Sequence, residues 1–195
     1  DKMEIRVAAL VHDIAKPNTR RINEKKGYTF HGHDAVGERM ISRVAFRLRL
    51  SKKIKSYLEK LTLLHLRTIS LVKEIVTDSA VRRWMIAAGD DLDDLMVLCR
   101  ADITTKNSNK IKKYLNNFDK VEMKISKVSE KDNMKKFQSP IGGNEIMSLF
   151  KLKEGKQVGA IKKAIEEAIL EGIIQNTYDD SYQYLINKKD EFLNI

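Results

Sequence analysis

Apolar side chains recur at intervals of three and four residues along almost the whole chain of 195 residues, and only two prolines interrupt it. This spacing places apolar groups on one face of a helix, whereas a half-buried strand alternates at every second residue. We therefore predict an all-α protein, built as a helical bundle followed by a small helical C-terminal domain. The clearest apolar stripes are Val7, Leu10, Val11 and Ile14, then Ile54, Leu58 and Leu61, then Leu95, Leu98 and Cys99.

Local signals predict where the helices begin and end. Pro17 is expected to stop the first helix, and residues 20–30 are expected to form a small hairpin or an irregular loop. A second helix should begin near His33, and Asp78–Ser79 offers an N-cap for a helix that ends near Gly89. Further helices are predicted at about 108–136, from Asn144, at 155–172 and at about 179–192.

The strongest turn cluster is Ser139–Gly143, with the sequence SPIGG. It coincides with a change in charge, because residues 1–137 carry 30 basic and 18 acidic side chains while residues 138–195 carry 7 and 9. We therefore predict a domain boundary here, with one domain at 1–137 and a second at 138–195.

The basic excess lies entirely in the first part of the chain, where 30 basic and 18 acidic side chains give +12, against −2 for residues 138–195. A basic excess of this size favours a polyanionic partner through the release of counterions, and nucleic acid is the usual candidate. The alternative is a lysine-rich surface that only keeps the protein in solution. Charge alone does not separate these two interpretations.

The cellular setting is constrained by two observations. No apolar run approaches the roughly 18–20 residues that a membrane span needs, so we expect no membrane partner. The single Cys99 cannot form an internal disulfide, which is typical of a reducing cytoplasm. Because the first residue is Asp1 rather than methionine, we also expect the chain to be part of a longer protein.

His12 and Asp13 stand side by side near the predicted end of the first helix, where both can lean over one ion. Imidazole and carboxylate groups are ligands for several divalent metals. Asp102 falls in register with the Leu95–Cys99 stripe and His65 with the stripe of Leu58 and Leu61, so both should face the interior. A carboxylate there is costly unless it is paired or bound to a metal.

Each of these residues also has a structural interpretation. His65 could be a core histidine bonded to a backbone carbonyl, and Asp102 could form a buried salt bridge or cap a helix. His31 and His33 could lie in a solvated loop before a helix whose first turn is stabilised by Asp34. The case for a site is that all four histidines of the chain fall beside or between the two acidic candidates.

Residues 7–17, VAALVHDIAKP, and residues 29–37, TFHGHDAVG, resemble the HD superfamily of metal-dependent phosphohydrolases. They are most similar to the HD module of bacterial CCA-adding tRNA nucleotidyltransferases and the related poly(A) polymerases. The similarity continues through 77–83 (TDSAVRR) and 101–104 (ADIT). It reaches the tail at 155–159 (GKQVG) and 168–172 (AILEG). The resemblance therefore spans nearly the whole chain and implies an HD-domain helical bundle.

The resemblance implies a role for each matching residue. His12, Asp13 and Asp102 correspond to ligands of a divalent metal (Mg, Mn or Ni), and His33 and His65 to positions that hold a second ion in some HD proteins. Asp13 and Lys16 are then the catalytic candidates, with Lys16 contacting a substrate phosphate. The family places a further metal-binding histidine upstream of the His-Asp pair, and no histidine precedes His12. We expect that histidine to lie before residue 1 and metal affinity to suffer without it.

The resemblance also implies a nucleotidyltransferase, whose chemistry needs a Gly-Ser loop and an Asp-x-Asp pair. Asp91 and Asp93 have this spacing but no glycine-rich strand before them, so we interpret them as a solvated helix start. The nucleotidyltransferase head that binds nucleotides should therefore lie upstream. The basic surface is then expected to hold tRNA through Arg43, Arg47, Arg49, Lys52, Lys53, Lys110, Lys112 and Lys113.

Two other interpretations remain open. The first is a free-standing HD-type phosphohydrolase that acts on phosphomonoesters or cyclic nucleotides. The second is a catalytically silent helical interaction domain. Residues 138–195 favour the nucleotidyltransferase interpretation, because a free-standing hydrolase has no need of them.

Overall fold

The computed structural model describes residues 3–25, 27–73, 77–132 and 138–193. Apart from one small hairpin, these residues form helices joined by short loops, and the predicted all-α fold is confirmed. The helices and strands are α1 (Met3–Val11), α2 (Lys16–Thr19), β1 (Arg21–Asn23), β2 (Gly27–Thr29), α3 (His33–Arg47), α4 (Lys52–Lys73), α5 (Asp78–Ala88), α6 (Leu92–Ala101), α7 (Ser108–Asp132), α8 (Gly143–Phe150), α9 (Lys156–Glu171), α10 (Tyr178–Asn187) and α11 (Lys189–Leu193).

The chain divides into two compact units. The first contains residues 1–76 and 87–122, and the second contains residues 77–86 and 123–195. Helices α5 and α7 therefore each contribute residues to both units. The domain boundary between residues 137 and 138 stays a prediction.

In the first unit, the long helix α4 packs against α3, α1 and α6. Side chains of the second and third predicted stripes lie in its core together with Ile41, where Ile41, Leu58, Leu61, Leu95 and Leu98 are at most 2% exposed. Such burial is worth about 1.5–3 kcal/mol for each large aliphatic side chain. The first predicted stripe does not form a core face, because Leu10 is 83% exposed and Ala8 is the buried residue of α1. The core therefore fixes the positions of α1, α3, α4 and α6, which carry or precede the candidate site residues.

The start of the chain differs from the prediction at Pro17. Helix α1 ends at Val11, six residues before the proline, and Pro17 lies in the first turn of the short helix α2. A proline is tolerated there because the first turn of a helix needs no donor from that backbone position. The predicted hairpin is confirmed, since β1 pairs with β2 in antiparallel register from Arg21 opposite Thr29 to Asn23 opposite Gly27.

The second unit is built around α8, α9, α10 and α11. Their apolar faces enclose a core in which Ile146, Ile161, Ile165 and Leu185 are fully buried. Helix α9 begins after Gly155 and ends at Gly172, whose left-handed φ of 74° forms the C-cap, as predicted.

Two predicted helix boundaries change in the second part of the chain. The single helix predicted over about 179–192 is instead two helices, because α10 ends at Asn187 and α11 starts at Lys189. The long basic helix ends at Asp132 in the described residues, and its predicted extension to Lys136 lies outside them. Within the part of the chain that the structure covers, no helix combines the length and apolarity that crossing a membrane requires.

Candidate functional site

Five side chains of the first unit meet beside the end of α1, and we refer to them as the His-Asp cluster. Two of them, His12 and Asp13, lie in the turns that follow α1, where the His12 backbone N–H still donates to Ala8. The other three come from α3, α4 and the end of α6. The members of the cluster are His12, Asp13, His33, His65 and Asp102.

The three histidines of the cluster are held in the same way. In each, Nδ1 bonds the carbonyl of the residue three positions earlier: His12 to Ala9 at 2.9 Å, His33 to Phe30 at 2.7 Å and His65 to Thr62 at 2.6 Å. A carbonyl only accepts, so Nδ1 carries a proton, and Nε2 of the neutral ring is left with a lone pair. In each histidine, the nitrogen that points into the cluster is therefore Nε2, the one with the lone pair. A backbone partner of this kind is the usual support of a metal-binding histidine.

The Nε2 atoms and carboxylate oxygens lie close together. His33 Nε2 is 3.1 Å from His65 Nε2 and 3.2 Å from Asp13 Oδ1. On the other side of Asp13, His12 Nε2 is 3.3 Å from Asp13 Oδ2 and 3.6 Å from Asp102 Oδ1. These distances define two groups of ligand atoms, Asp13–His33–His65 and His12–Asp13–Asp102, in which all atoms lie within 4.8 Å of one another. Asp13 belongs to both groups.

The electrostatics of the cluster fit a cation. Two facing lone pairs at 3.1 Å and two half-buried carboxylates are unfavourable unless a positive charge lies among them. Within the described residues, Nε2 of His12 and Oδ1 of Asp13 are buried and have no hydrogen-bond partner. Imidazole donors suit Fe, Ni or Zn, and carboxylate donors suit Mg or Mn. The residues present therefore fit a divalent metal.

The pKa directions follow from the same contacts. Interaction with the Asp102 carboxylate raises the pKa of His12, and the same pairing lowers the pKa of Asp102. Burial lowers the pKa of His65, which is 2% exposed, so its ring stays neutral and keeps its lone pair. Lys16 pairs with Asp13 from the solvent side, its Nζ 2.5 Å from Oδ2, and leaves Asp13 Oδ1 without a hydrogen-bond partner in the described part of the chain.

A pocket of about 190 Å³ adjoins the cluster at Asp102. Most of the residues that line this pocket are apolar, and the consecutive residues Thr104 and Thr105 add hydroxyl groups. The apolar part consists of Ile69, Cys99, Ile103, Tyr114 and Phe118.

The predicted RNA-binding residues are divided between two places in the first unit. Arg43, Arg47, Arg49 and Lys52 line an open groove where α3 ends and α4 begins, together with Lys55, which the sequence analysis did not select. Lys53 is exposed on the first turn of α4 but does not line the groove. Lys110, Lys112 and Lys113 are exposed at the start of α7, away from the residues of the groove.

The family profile of the HD domain matches residues 1–107, which are more than half of the chain and contain the whole cluster. The chain belongs to the HD domain family. In this HD chain, His12 and Asp13 are the adjacent pair that the resemblance selected, and Asp102 lies beside them.

Two relatives extend the comparison beyond the HD residues. A CC-adding tRNA nucleotidyltransferase of Thermus thermophilus is 31% identical over 188 residues, which cover 94% of this chain and 40% of that protein. An A-adding tRNA nucleotidyltransferase of Deinococcus radiodurans is 27% identical over 166 residues, 84% of this chain and 37% of that protein. The HD chain therefore spans about two fifths of the length of these relatives. No solved structure matched it significantly.

Two contributors to the HD site were given no role in the sequence analysis, although Gly37 is the last residue of the quoted motif 29–37. Gly37, one helical turn after His33, lets α3 approach α4, since a Cβ at this position would lie 2.8 Å from Thr62 Cγ2. Its signal is a glycine in the middle of a helical stripe. The carbonyls of Ala9, Phe30 and Thr62 have no sequence signal at all, because every residue has a carbonyl.

The acidic pair at Asp91 and Asp93 agrees with its interpretation as a helix start. Helix α6 begins at Leu92, and Asp93 is exposed in its first turn. Asp91 Oδ2 accepts a hydrogen bond from Lys60 Nζ at 2.6 Å. Asp91 is therefore ion-paired within the first unit, while Asp93 is exposed to solvent. His31 is exposed and lies outside both groups of ligand atoms.

Proposed function

We propose that the chain is the HD and RNA-binding portion of a cytoplasmic tRNA nucleotidyltransferase of the CCA-adding or poly(A) polymerase type. The nucleotidyltransferase head, which binds the nucleotides, lies upstream of residue 1. The observation that carries this proposal is the reach of the similarity, which covers 94% of the chain and continues well past the HD residues 1–107. The HD residues and the residues that follow them therefore resemble the same kind of protein, a tRNA nucleotidyltransferase.

The charge distribution supports tRNA as the partner. Arg43, Arg47, Arg49 and Lys52 surround one groove, and the lysines of α7 add a second basic segment. Contacts from such side chains to phosphates position an RNA without reading its sequence, and a rigid helical surface recognises its shape.

The test is binding of labelled tRNA to the full chain across a series of salt concentrations. We expect the affinity to fall steeply with salt, because each phosphate that is neutralised releases counterions. Folded tRNA should compete better than an unstructured RNA of equal length. The Lys110→Gln, Lys112→Gln, Lys113→Gln variant should bind more weakly with a shallower salt dependence. No binding at low salt would contradict the proposal.

The control is a variant with the same change of charge in the second unit, Lys151→Gln, Lys153→Gln, Lys156→Gln. These lysines are exposed, so both variants should fold. If both variants lose affinity equally, binding depends only on net charge, and the assignment to the first unit is wrong.

The His-Asp cluster favours a second activity at a separate site, a metal-dependent phosphohydrolase that acts on phosphomonoesters or cyclic nucleotides. The observation behind it is the pair of buried, unpartnered atoms on His12 and Asp13. We propose that His12, Asp13 and Asp102 hold one Mg, Mn or Ni ion and that His33 and His65 complete a second site with Asp13. When bound, such an ion polarises a phosphoryl oxygen and lowers the pKa of water.

Each remaining residue has a defined part in this activity. The carbonyls of Ala9, Phe30 and Thr62 orient the imidazoles, and burial excludes water from His65. Lys16 is 40% exposed beside Asp13 and is placed to contact a substrate phosphate. The pocket at Asp102 can take the organic part of the substrate.

Titration calorimetry with Mn²⁺ or Ni²⁺ tests the metal site without relying on turnover. Asp13→Asn should abolish binding to both groups, Asp102→Asn should weaken only one of them, and His31→Ala should bind as the parent does. Equal affinity in Asp13→Asn and the parent would refute the site. Hydrolysis of a 2′,3′-cyclic nucleotide should be weak in this chain and stronger in one extended upstream, since the family's additional histidine adds a ligand.

A further inference from the structure

The groove between α3 and α4 combines a concentration of positive charge with an exposed aromatic ring. Four of its cations, Arg43, Arg47, Arg49 and Lys52, form no ion pair with any residue that the structure describes. The fifth, Lys55, has a long contact of 3.6 Å to Glu59. Unpaired cations this close together repel one another, and an anion in the groove would relieve the repulsion.

Phe46 lies among these cations and is 85% exposed, although it is fully apolar. A single exposed aromatic is common on protein surfaces. This one is distinct because it lines the same groove as the four unpaired cations. Leu48, two residues later, is 64% exposed. A cationic groove with an available aromatic face matches the general design of surfaces that bind single-stranded nucleic acid.

The backbone at the end of α3 fixes the position of one of these cations. Arg49 has a φ of 53°, in the left-handed region that glycine usually occupies. The hydrogen bond from the Leu50 N–H to the Ala45 carbonyl, 2.9 Å, closes the turn around it. This turn fixes the Arg49 backbone next to Phe46. Together with the bond from the Arg49 N–H to the Phe46 carbonyl, this is the Schellman arrangement that commonly ends a helix, so it sets the position of Arg49 and is no sign of a ligand.

We propose that the groove binds an unpaired segment of RNA, with its phosphates on Arg43, Arg47, Arg49 and Lys52 and one base stacked on Phe46. The proposal rests on the RNA binding proposed above and specifies what this part of the surface recognises. A paired segment does not fit as well, because its bases are stacked on one another inside the duplex and offer Phe46 no free face. An acidic peptide would match the charges but would leave the ring without a flat partner.

The experiment compares two labelled RNA hairpins by fluorescence anisotropy with the full chain. One hairpin is blunt, and the other has the same stem and loop with an unpaired 3′ overhang of four adenosines. The parent chain should prefer the overhang hairpin by about fivefold or more, since stacking one base is worth roughly 1–3 kcal/mol. Phe46→Ala should lose this preference while its salt dependence stays unchanged, because no charge is removed. Phe46→Tyr should keep the preference.

The matched control is Tyr28→Ala on β2, which removes another exposed aromatic from the first unit outside the groove. It should bind both hairpins as the parent does. Equal preference in Phe46→Ala and the parent, or no preference in the parent, would overturn the proposal while leaving RNA binding intact. Failure of the parent to bind either hairpin would instead refute both the RNA-binding function and this inference.

Discussion

Replacing Gly37 by alanine would test the packing that brings His33 and His65 together. The new methyl group would lie 2.8 Å from Cγ2 of Thr62, closer than real Cβ contacts allow. Thr62 is fully buried and branched at Cβ, so its methyl group has little freedom to move away. Gly37 follows His33 by one turn of α3, and Thr62 precedes His65 by one turn of α4. We therefore expect α3 to shift relative to α4 at the site itself.

The magnitude follows from two opposing effects. Overpacking a filled core costs roughly 1–3 kcal/mol, whereas alanine is better than glycine inside a helix by about 1 kcal/mol. The net loss in the free energy of unfolding should be about 1 kcal/mol. Gly159→Ala is the matched control, because Gly159 is also inside a helix but nothing lies within 4 Å of its Cβ position. That variant should gain up to about 1 kcal/mol.

Urea denaturation followed by circular dichroism measures the stability of both variants, and hydrogen exchange with mass spectrometry reads α3–α4 separately from α9. Thr62→Ser removes the methyl group that clashes, so Gly37→Ala should cost less in a Thr62→Ser background. The coupling between the two substitutions should be about 1 kcal/mol, within the range measured for residues in contact. Affinity for Ni²⁺ should fall in Gly37→Ala and not in Gly159→Ala. Equal stability of Gly37→Ala and the parent, with no coupling to Thr62, would refute the reasoning.

Three further predictions concern other parts of the chain. Burial raises the pKa of the Cys99 thiol to about 12, so almost no thiolate exists at pH 8. A disulfide reagent should therefore react with Cys99 only in urea, at the rate at which the chain unfolds. Rapid reaction in native buffer would contradict this. Ile165→Ala should lower the free energy of unfolding by about 2–5 kcal/mol in denaturation experiments, because its side chain is fully buried. Arg83→Ala should lower it by less than about 1 kcal/mol, because the salt bridges of Arg83 to Glu167 and Glu171 are solvent-exposed. Thr177→Ala should lower the free energy of unfolding by about 0.5–2 kcal/mol, because it removes the acceptor of the Asp180 N–H at the start of α10. Hydrogen exchange in α10 should become faster, and unchanged exchange would show that the cap is unimportant.

The sequence predicted those features that depend on periodicity. Asp102 and His65 were expected to face the interior because they share the register of apolar neighbours, and both lie in the cluster. His33 was different, since local reasoning allowed a solvated loop and only the family resemblance indicated a ligand. Its ring is buried because α3 packs on α4, and a contact between distant segments leaves no local pattern.

Helix ends were predicted less well than helices. Pro17 indicates a helix stop in the sequence, yet it occupies the first turn of α2, where the same restricted φ is favourable. The break at Lys188 between α10 and α11 has neither a proline nor a glycine to mark it. The sequence does not mark Phe46 as exposed, because it follows Val44 and Ala45 in a short apolar run that fits equally well in a core or on a surface.

The bonds from the three histidine rings to backbone carbonyls have a consequence for the cost of binding. An untethered imidazole loses rotational freedom when it is captured, and this loss lowers affinity. In this chain the rings are oriented when the local turns form, so the ligand atoms are preorganised before any ion arrives. The turn at Gly32, with its φ of 76°, shows how this works, because it orients the Phe30 carbonyl toward both the backbone N–H and the ring of His33. A substitution that disturbs this turn would weaken the site without touching a ligand atom.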